Sequence, residues 1–324
     1  MAKYLVTGIA GFIGSAIARE LLKQGHQVRG IDNLSTGKWE NIAEIAHAVD
    51  FRHADILDIR ALDNACAGID YIFHEAAIPS VPKSILDPVA SHNANVTGTL
   101  NVLMAARAAK VRRVLYASSS SLYGNTPTLP KQEAMRPEPI SPYAVSKLAG
   151  EHYMICFTRA YSLETVSLRY FNVFGPRQDP TSPYSGVLSV FCARMLAGKQ
   201  TTIFGDGEQS RDFTFVDNVV RANLLASQAP AETVAGRAFN VGCSRAVTLN
   251  QVYALMQVFT GTTVPPLYAP PRNGDIKHSL ADISEAKRCF GYSPHVSFEE
   301  GLGRTVVWYR EQRALKSAPA FAAD

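Results

Sequence analysis

Apolar and polar positions alternate along the first half of the chain in two rhythms. Short apolar runs at 3–7, 27–31, 49–53, 71–74, 113–117 and 165–170 read as strands. Between them, apolar residues recur at helical spacing over 12–24, 59–66, 89–109 and 142–161, which read as helices. The strand runs are rich in Val, Ile and Leu and do not alternate strictly, as expected for strands covered on both faces. Strands alternating with helices predict βαβ units, hence a Rossmann-type doubly wound parallel α/β sheet. After about Asn172 the rhythm changes. Gly175-Pro176, Asp179-Pro180 and Ser182-Pro183 break the chain into loop, and helical patterns follow near 187–197, 217–228, 249–260, 283–290 and 298–313. Residues 314–324 are small and polar and read as a frayed tail. The expected division is a nucleotide-binding domain over 1–171 and a smaller C-terminal substrate-binding domain over 172–324. Segments near 212–243 are candidates to return to the first sheet.

Composition narrows the class. At roughly 150 residues per domain, 324 residues suit two domains or one large α/β unit. Lys and Arg total 32 against 28 Asp and Glu, a net charge of +4, and no five like charges run together, so no nucleic-acid partner is expected. The five cysteines, Cys66, Cys156, Cys192, Cys243 and Cys289, form no CxxC pair. Neither a disulfide framework nor a metal knuckle is expected, and the composition suits reduced thiols in a cytoplasmic protein. No apolar run reaches the length of a membrane span. Lys3, the apolar stretch after it and Ala16-Ile17-Ala18 imitate a signal peptide, but Gly8, Gly11 and Gly14 interrupt that stretch at regular spacing.

Those glycines carry chemistry. Val6-Thr7-Gly8-Ile9-Ala10-Gly11-Phe12-Ile13-Gly14 lies between a predicted strand and a predicted helix. Glycine there permits a tight turn and lets backbone approach a pyrophosphate, which meets the N–H groups of Phe12 and Ile13 at the helix start. Asp32, followed by Asn33, ends the second strand about 20 residues on, where a carboxylate accepts from ribose hydroxyls and repels a 2′-phosphate. NAD is therefore the expected cofactor. Asp55 and Ile56, after the third strand, are candidates to meet the adenine.

Ser118–Ser121 follow the strand at 113–117, at its carboxyl end, where ligands sit in open α/β sheets. Tyr143 and Lys147 are four residues apart and share one helix face. An ammonium and a cationic nicotinamide beside a phenol favour the phenolate, making a general base of Tyr143. A serine hydroxyl can relay the proton. With the glycine turn, this points to hydride chemistry at a carbinol carbon.

The glycine turn, Asp32, Asn95, the serine-rich strand end, Tyr-x-x-x-Lys and Leu168-Arg169-Tyr170-Phe171-Asn172-Val173-Phe174-Gly175-Pro176 resemble the extended short-chain dehydrogenase/reductases over residues 3–312. Ser80-Val81-Pro82-Lys83-Ser84, Arg177-Gln178-Asp179-Pro180 and His278-Ser279-Leu280-Ala281-Asp282 are similar to the UDP-hexose 4-epimerase group, and within it to UDP-N-acetylglucosamine 4-epimerases. The resemblance implies a catalytic Ser119, Tyr143 and Lys147, with Ala76, Ala77 and Asn95 beside NAD. It implies a UDP-sugar held by Ser80, Ser120, Ser121, Asn172, Gln178, Arg211, Arg272 and Asp275. Two separated arginines suit two phosphates, because guanidinium forks match phosphate oxygens. The helices matching 89–109 and 142–161 form the dimer interface in this family, which implies a homodimer.

Related reactions differ at Ser120 and Ser121. The resembling 4,6-dehydratases carry an acidic pair there, and UDP-glucuronate decarboxylases a glutamate at the second position. Hydroxyls at both places argue for returning the hydride to the other face of the ketone, which is epimerisation. Ser279 stands where a bulky tyrosine excludes an N-acetyl arm in the epimerase group, so UDP-GlcNAc and UDP-GalNAc are expected to fit. Pro79 and Gly186 depart from the N-acetyl-selective relatives and leave UDP-glucose open. UDP-glucose and UDP-glucuronate 4-epimerases are the alternatives, the latter needing a cation for the C6 carboxylate. A non-catalytic NAD-binding sensor is a third reading, disfavoured because Ser119, Tyr143 and Lys147 are all present. His74 and His278 have no partner at metal-ligand spacing, and no metal is expected.

Overall fold

The computed structural model describes residues 1–180, 186–271 and 277–317. The elements run β1 (Lys3–Thr7), α1 (Phe12–Lys23), β2 (Gln27–Asp32), β3 (Val49–His53), α2 (Ile59–Cys66), β4 (Tyr71–His74), α3 (Val81–Leu86), α4 (Pro88–His92), α5 (Gly98–Ala108), β5 (Arg113–Ser119), α6 (Pro142–Tyr161) and β6 (Glu164–Tyr170). They continue with β7 (Val173–Phe174), α7 (Val187–Leu196), β8 (Thr202–Phe204), β9 (Ser210–Asp212), β10 (Thr214–Phe215), α8 (Val216–Gln228), α9 (Ala231–Val234) and β11 (Arg237–Val241). β12 (Ala246–Thr248), α10 (Leu249–Thr260), β13 (Leu267–Ala269), α11 (Ser284–Phe290) and α12 (Phe298–Ser317) complete the chain.

Seven strands form one parallel sheet in the order β11-β6-β5-β4-β1-β2-β3. The order reverses between β1 and β4, the switch point beside which such sheets bind ligands. Successive residues of a strand feed opposite faces. Leu5, Ile72 and Val114 pack on one face with Leu62 of α2, Leu103 of α5 and Phe157 of α6. Val6, Phe73 and Leu115 pack on the other with Ile17 of α1 and Val219 of α8. Each such buried side chain contributes about 1.5–3 kcal/mol, which makes every strand a two-sided anchor. Arg113, buried in β5, donates from Nη1 to the carbonyls of Ala226, Ser227 and Ala229 at 2.7, 3.0 and 2.8 Å, where α8 ends. The cation meets the negative end of the helix dipole.

A second core joins Phe191 and Met195 of α7, Val252 and Met256 of α10, and Leu302 and Val306 of α12 around Phe174, Phe213 and Phe215. Three two-stranded sheets, β10-β7, β12-β9 and β13-β8, accompany it.

Several expected boundaries move. β5 runs on to Ser119, since Ser118 and Ser119 pair with Arg169 and Tyr170. The helix expected over 89–109 contains a π turn at Asn93–Thr97, and α3 precedes it. Residues 314–317 belong to α12 and are not frayed, because Ala314-Leu315-Lys316 are good helix formers. Among the described residues, no helix is long and apolar enough to cross a membrane, and no three His, Cys, Asp or Glu side chains are grouped to hold a metal.

Candidate active site

The glycine turn lies at the carboxyl end of β1. Gly8 has φ +69°, and a Cβ there would lie 2.7 Å from the Ala76 nitrogen. A Cβ on Gly14 would lie 2.3 Å from the Gly8 oxygen, so the first turn of α1 can pack on the loop only without a side chain. Gly11 is the N-cap of α1 and offers no side chain to the N–H groups that open the helix, those of Phe12 and Ile13 among them. A backbone cradle that any Cβ would fill, at an uncapped helix start, fits the pyrophosphate of NAD.

Asp32 is buried at the end of β2. Its Oδ2 accepts from the Ala10 N–H at 2.9 Å and its Oδ1 from the Leu34 N–H at 2.8 Å. Burial raises its carboxyl above the ordinary value and these two N–H groups pull it back. The carboxylate thus ties the glycine turn to the loop after β2, with lone pairs left for ribose hydroxyls. Asn33 Nδ2 donates to Asp55 Oδ2 at 2.6 Å, joining the ends of β2 and β3, and Ile56 is buried beneath. These residues border the strand ends on the β2–β3 side of the turn, where the adenosine of a dinucleotide would lie.

Ala76 and Ala77 follow β4, and the Ala76 N–H donates to Thr7 Oγ1 at 3.2 Å. Asn95 sits in the π turn, and its amide is engaged by protein. Its Oδ1 accepts from the Ile78 N–H at 2.8 Å and its Nδ2 donates to Ser146 Oγ at 2.9 Å. It fastens the loop after β4 to α6. Ser80 caps α3 by accepting from the Lys83 N–H at 3.2 Å.

Ser119, Tyr143 and Lys147 converge at the carboxyl end of β5. Lys147 Nζ donates to the Ala117 carbonyl at 2.8 Å and lies 4.9 Å from the centre of the Tyr116 ring. Ser119 accepts from the Ser121 N–H at 3.1 Å and pulls the Tyr143 phenol down. The expected lowering of the Tyr143 phenol by Lys147 is not what the protein chain produces by itself. Burial raises Tyr143 above its ordinary value, with only the Ser119 hydrogen bond opposing, while burial pushes Lys147 down to about 8. Desolvation disfavours both charged forms, and the ammonium spends a donor on a backbone carbonyl. Ser120 lies beside this cluster in a 3₁₀ turn, and Ser121 Oγ is buried without a hydrogen-bond partner among the described residues. Such a hydroxyl is open to a ligand or an ordered water.

Across the cleft, Asn172, Gln178 and Arg211 line one cavity of about 270 Å³ with Phe204, Phe213 and Leu249. Asn172 Nδ2 donates to the Asp212 carbonyl at 3.1 Å, and Arg211 Nη1 to the Ser210 and Lys277 carbonyls at 3.0 and 3.1 Å. The apolar walls and polar rim suit a nucleoside base with its phosphates. Ser279 is buried, its N–H donating to the Ser210 carbonyl at 3.0 Å, and does not line this cavity. Arg272 and Asp275 lie outside the described residues.

Three groups escaped the sequence reading. Ser84 Oγ accepts the Tyr143 N–H at 3.0 Å and donates to the Val81 carbonyl at 2.7 Å, holding the start of α6 against α3. Glu151 pairs with Arg169 through contacts of 2.5 and 3.1 Å and accepts from Ser118 at 2.9 Å. Glu75 accepts from the Tyr170 hydroxyl at 2.9 Å. Only Glu75 carries a signal in the sequence, an acid next to an apolar strand end.

Residues 4–242 match the model of the NAD dependent epimerase/dehydratase family. The chain is 41% identical over 313 residues to the UDP-glucose 4-epimerase of Mycolicibacterium smegmatis, covering 95% of this chain and 98% of that one. It superposes with a TM-score of 0.91 on the UDP-glucose 4-epimerase of Thermotoga maritima solved with UDP-glucose, at 39% identity over 96% of this chain and 99% of the other. The UDP-N-acetylglucosamine 4-epimerase of Methanobrevibacter ruminantium, in complex with UDP-N-acetylmuramic acid, gives 0.90 at 38% identity, covering 96% and 99%. With a seven-stranded sheet reversing at β1 and a glycine cradle cut for a dinucleotide, the chain belongs to the NAD-dependent epimerase/dehydratase family.

Proposed function

We propose that the protein inverts C4 of a UDP-hexose through a 4-keto intermediate, with UDP-GlcNAc and UDP-GalNAc as its pair and UDP-Glc and UDP-Gal as a second pair. The observation that carries this reading is the convergence of Ser119, Tyr143 and Lys147 at the β5 end, beside a dinucleotide cradle, with hydroxyls and no acid at Ser120 and Ser121. The names of the relatives support the reaction class, since both UDP-glucose and UDP-N-acetylglucosamine 4-epimerases are among them.

When bound, NAD supplies a two-way hydride carrier for the sugar C4. The chain supplies proton movement and grip. Tyr143 takes the proton from the C4 hydroxyl and later returns it, and Ser119, which favours the ionised Tyr143, relays that proton. Burial holds Tyr143 as a phenol in the chain by itself, and a bound cationic nicotinamide would be the charge that favours its base form. Ser121 Oγ, lacking a partner in the chain, is assigned to a sugar hydroxyl. Asn172, Gln178, Arg211, Arg272 and Asp275 are assigned to the nucleoside diphosphate, which stays held while the keto sugar turns its other face.

The acceptance of an N-acetyl arm rests on Ser279, a small residue where the UDP-glucose-restricted pattern has a tyrosine. A UDP-hexose panel resolved by chromatography tests it. Inactivity on UDP-GlcNAc with good turnover of UDP-Glc would overturn the substrate assignment. A homodimer fits the exposed apolar side chains on packed helices, among them Ile85 and Leu86 of α3, Met104 of α5 and Val145 of α6. Light scattering at low concentration checks it.

A further inference from the structure

Asp212 is a carboxyl group that the epimerase reading leaves without a task, and it lies beneath the nucleotide end of the cleft. It closes β9, one residue after Arg211, and is fully buried. Alternation along the strand sends Arg211 to the cavity and Asp212 into the body of the protein. Asp212 Oδ1 accepts from the Cys243 N–H at 2.8 Å and its Oδ2 from the Ala281 N–H at 3.0 Å. A Cβ on Gly242 would lie 2.9 Å from Oδ2 and 2.6 Å from Ala281 Cβ, so the chain just after β11 approaches the carboxyl as closely as glycine allows. Both oxygens therefore accept from backbone N–H groups, and those groups belong to different segments. An ionised carboxyl can do this, whereas an amide presents a donor at one of the two places.

The segments joined at Asp212 carry the grip on the nucleotide. The Asp212 carbonyl accepts from Asn172 Nδ2 at 3.1 Å, which fixes one cavity residue. Arg211, the other, leans on the segment 277–281 by donating to the Lys277 carbonyl at 3.1 Å. That segment runs beside β9, with the Ser210 N–H donating to the Lys277 carbonyl and the Ser279 N–H to the Ser210 carbonyl, each at 3.0 Å. On the other edge of β9, β12 pairs antiparallel with Val247 opposite Arg211. The far side of the segment is held separately. The Lys131 N–H donates to the Leu280 carbonyl at 2.7 Å, and the Asp282 N–H to the Lys131 carbonyl at 2.9 Å. Asp212 is thus the side chain that ties 281 and the loop after β11 back to the strand bearing Arg211.

We propose that Asp212 is a positioning residue of the nucleotide site, whose carboxylate pins the loop after β11 and the 277–281 segment to β9 and so fixes the Arg211 guanidinium where it grips UDP. The proposal rests on Arg211 binding the nucleotide, as in the proposed function. Tyr143 and Lys147 are held by other contacts, to Ser84 and the Ala117 carbonyl. Loosening Asp212 therefore costs nucleotide affinity and spares the chemical step.

The test is titration calorimetry of the purified full chain with UDP, beside turnover of UDP-GlcNAc and UDP-Glc. Asp212→Asn keeps the shape of the side chain but turns an N–H against that of Cys243 or Ala281. The Kd for UDP and the KM for the UDP-sugar are expected to rise about tenfold, the scale of one lost hydrogen bond to a charged group, with kcat within about twofold and NAD content unchanged. A Kd equal to the parent's overturns the proposal. So does a joint fall of kcat, NAD content and UDP affinity, which is the mark of a merely structural role. Gly242→Ala is the second variant, and it decides if Asp212→Asn does not fold. It leaves the carboxylate in place but crowds Oδ2 and Ala281, so the same rise in Kd at unchanged kcat is expected, and an unmoved Kd counts against the proposal. A parent that binds UDP but epimerises no UDP-hexose would remove the proposed function and leave the calorimetric test standing. Epimerisation by the parent, with UDP affinity untouched in both variants, would do the reverse.

Discussion

Gly14→Ala sets helix propensity against close packing. Gly14 lies in the first turn of α1, where alanine is favoured over glycine by about 1 kcal/mol on propensity alone. The added Cβ would stand 2.3 Å from the Gly8 oxygen, 2.9 Å from the Gly8 carbonyl carbon and 3.1 Å from Ile9 Cα. All three are backbone atoms of the turn, and a contact of ~3.5–4 Å is needed. The turn must therefore open by about an ångström, at the upper part of the roughly 1–3 kcal/mol range for overpacking. The net expectation is destabilisation by about 2 kcal/mol and loss of most co-purifying NAD, because the same movement spoils the phosphate cradle. Gly303→Ala in α12 is the control. Its Cβ would meet only Phe259 ring carbons at 3.5 Å and beyond, so stability should rise by up to about 1 kcal/mol with NAD unchanged. Urea midpoints at constant m-value and NAD released on denaturation read both effects. A Gly14→Ala protein as stable as the parent, with its full NAD, would refute the close-approach argument.

Glu151→Gln should lower stability by about 3–5 kcal/mol, because it strands the buried Arg169 guanidinium, whereas Glu299→Gln, at the exposed pair with Arg245, should cost under about 1 kcal/mol. Denaturant titration of both variants compares them. His74 is buried neutral and pushed from 6.5 down to about 3, mainly by desolvation and then by the Lys147 charge. The unfolded chain then binds a proton that the folded chain refuses, so His74's contribution is intact above pH 6.5 and is lost as pH falls toward 3. His74→Gln should flatten that part of the urea-midpoint curve between pH 6.5 and 4, even if it lowers stability at every pH. Ser279→Tyr should abolish turnover of UDP-GlcNAc while leaving UDP-Glc within a few-fold of the parent, as read by chromatography of each sugar pair.

The first six strands and α6 were legible because their apolar spacing is dense and their partners are near in sequence. β11 was not legible as a strand. Its five residues, Arg-Ala-Phe-Asn-Val, carry two polar side chains, and Asn240 becomes tolerable in the core only by bonding Tyr123, the Lys131 carbonyl and the Asp282 carbonyl. Spacing of four predicted that Tyr143 and Lys147 share a face, but it cannot show that burial raises the phenol while the amine turns to Ala117. Asn172 and Gln178 come to one cavity with Arg211 from two segments more than 30 residues apart, a convergence that only the folded chain reveals. Glu75 was not legible as a cleft residue for the same reason, its hydrogen-bond partner Tyr170 lying on β6.

The central claim is that Tyr143 moves the proton at the sugar C4 in a protein that holds NAD. It is tested most directly by assaying Tyr143→Phe beside the parent on UDP-GlcNAc and UDP-Glc, with NAD measured in denatured extracts of both. The account predicts equal NAD content and a fall in turnover of about 10²–10⁴-fold, the usual contribution of a general acid–base group. Near-parental interconversion by a folded, NAD-containing Tyr143→Phe protein would contradict it.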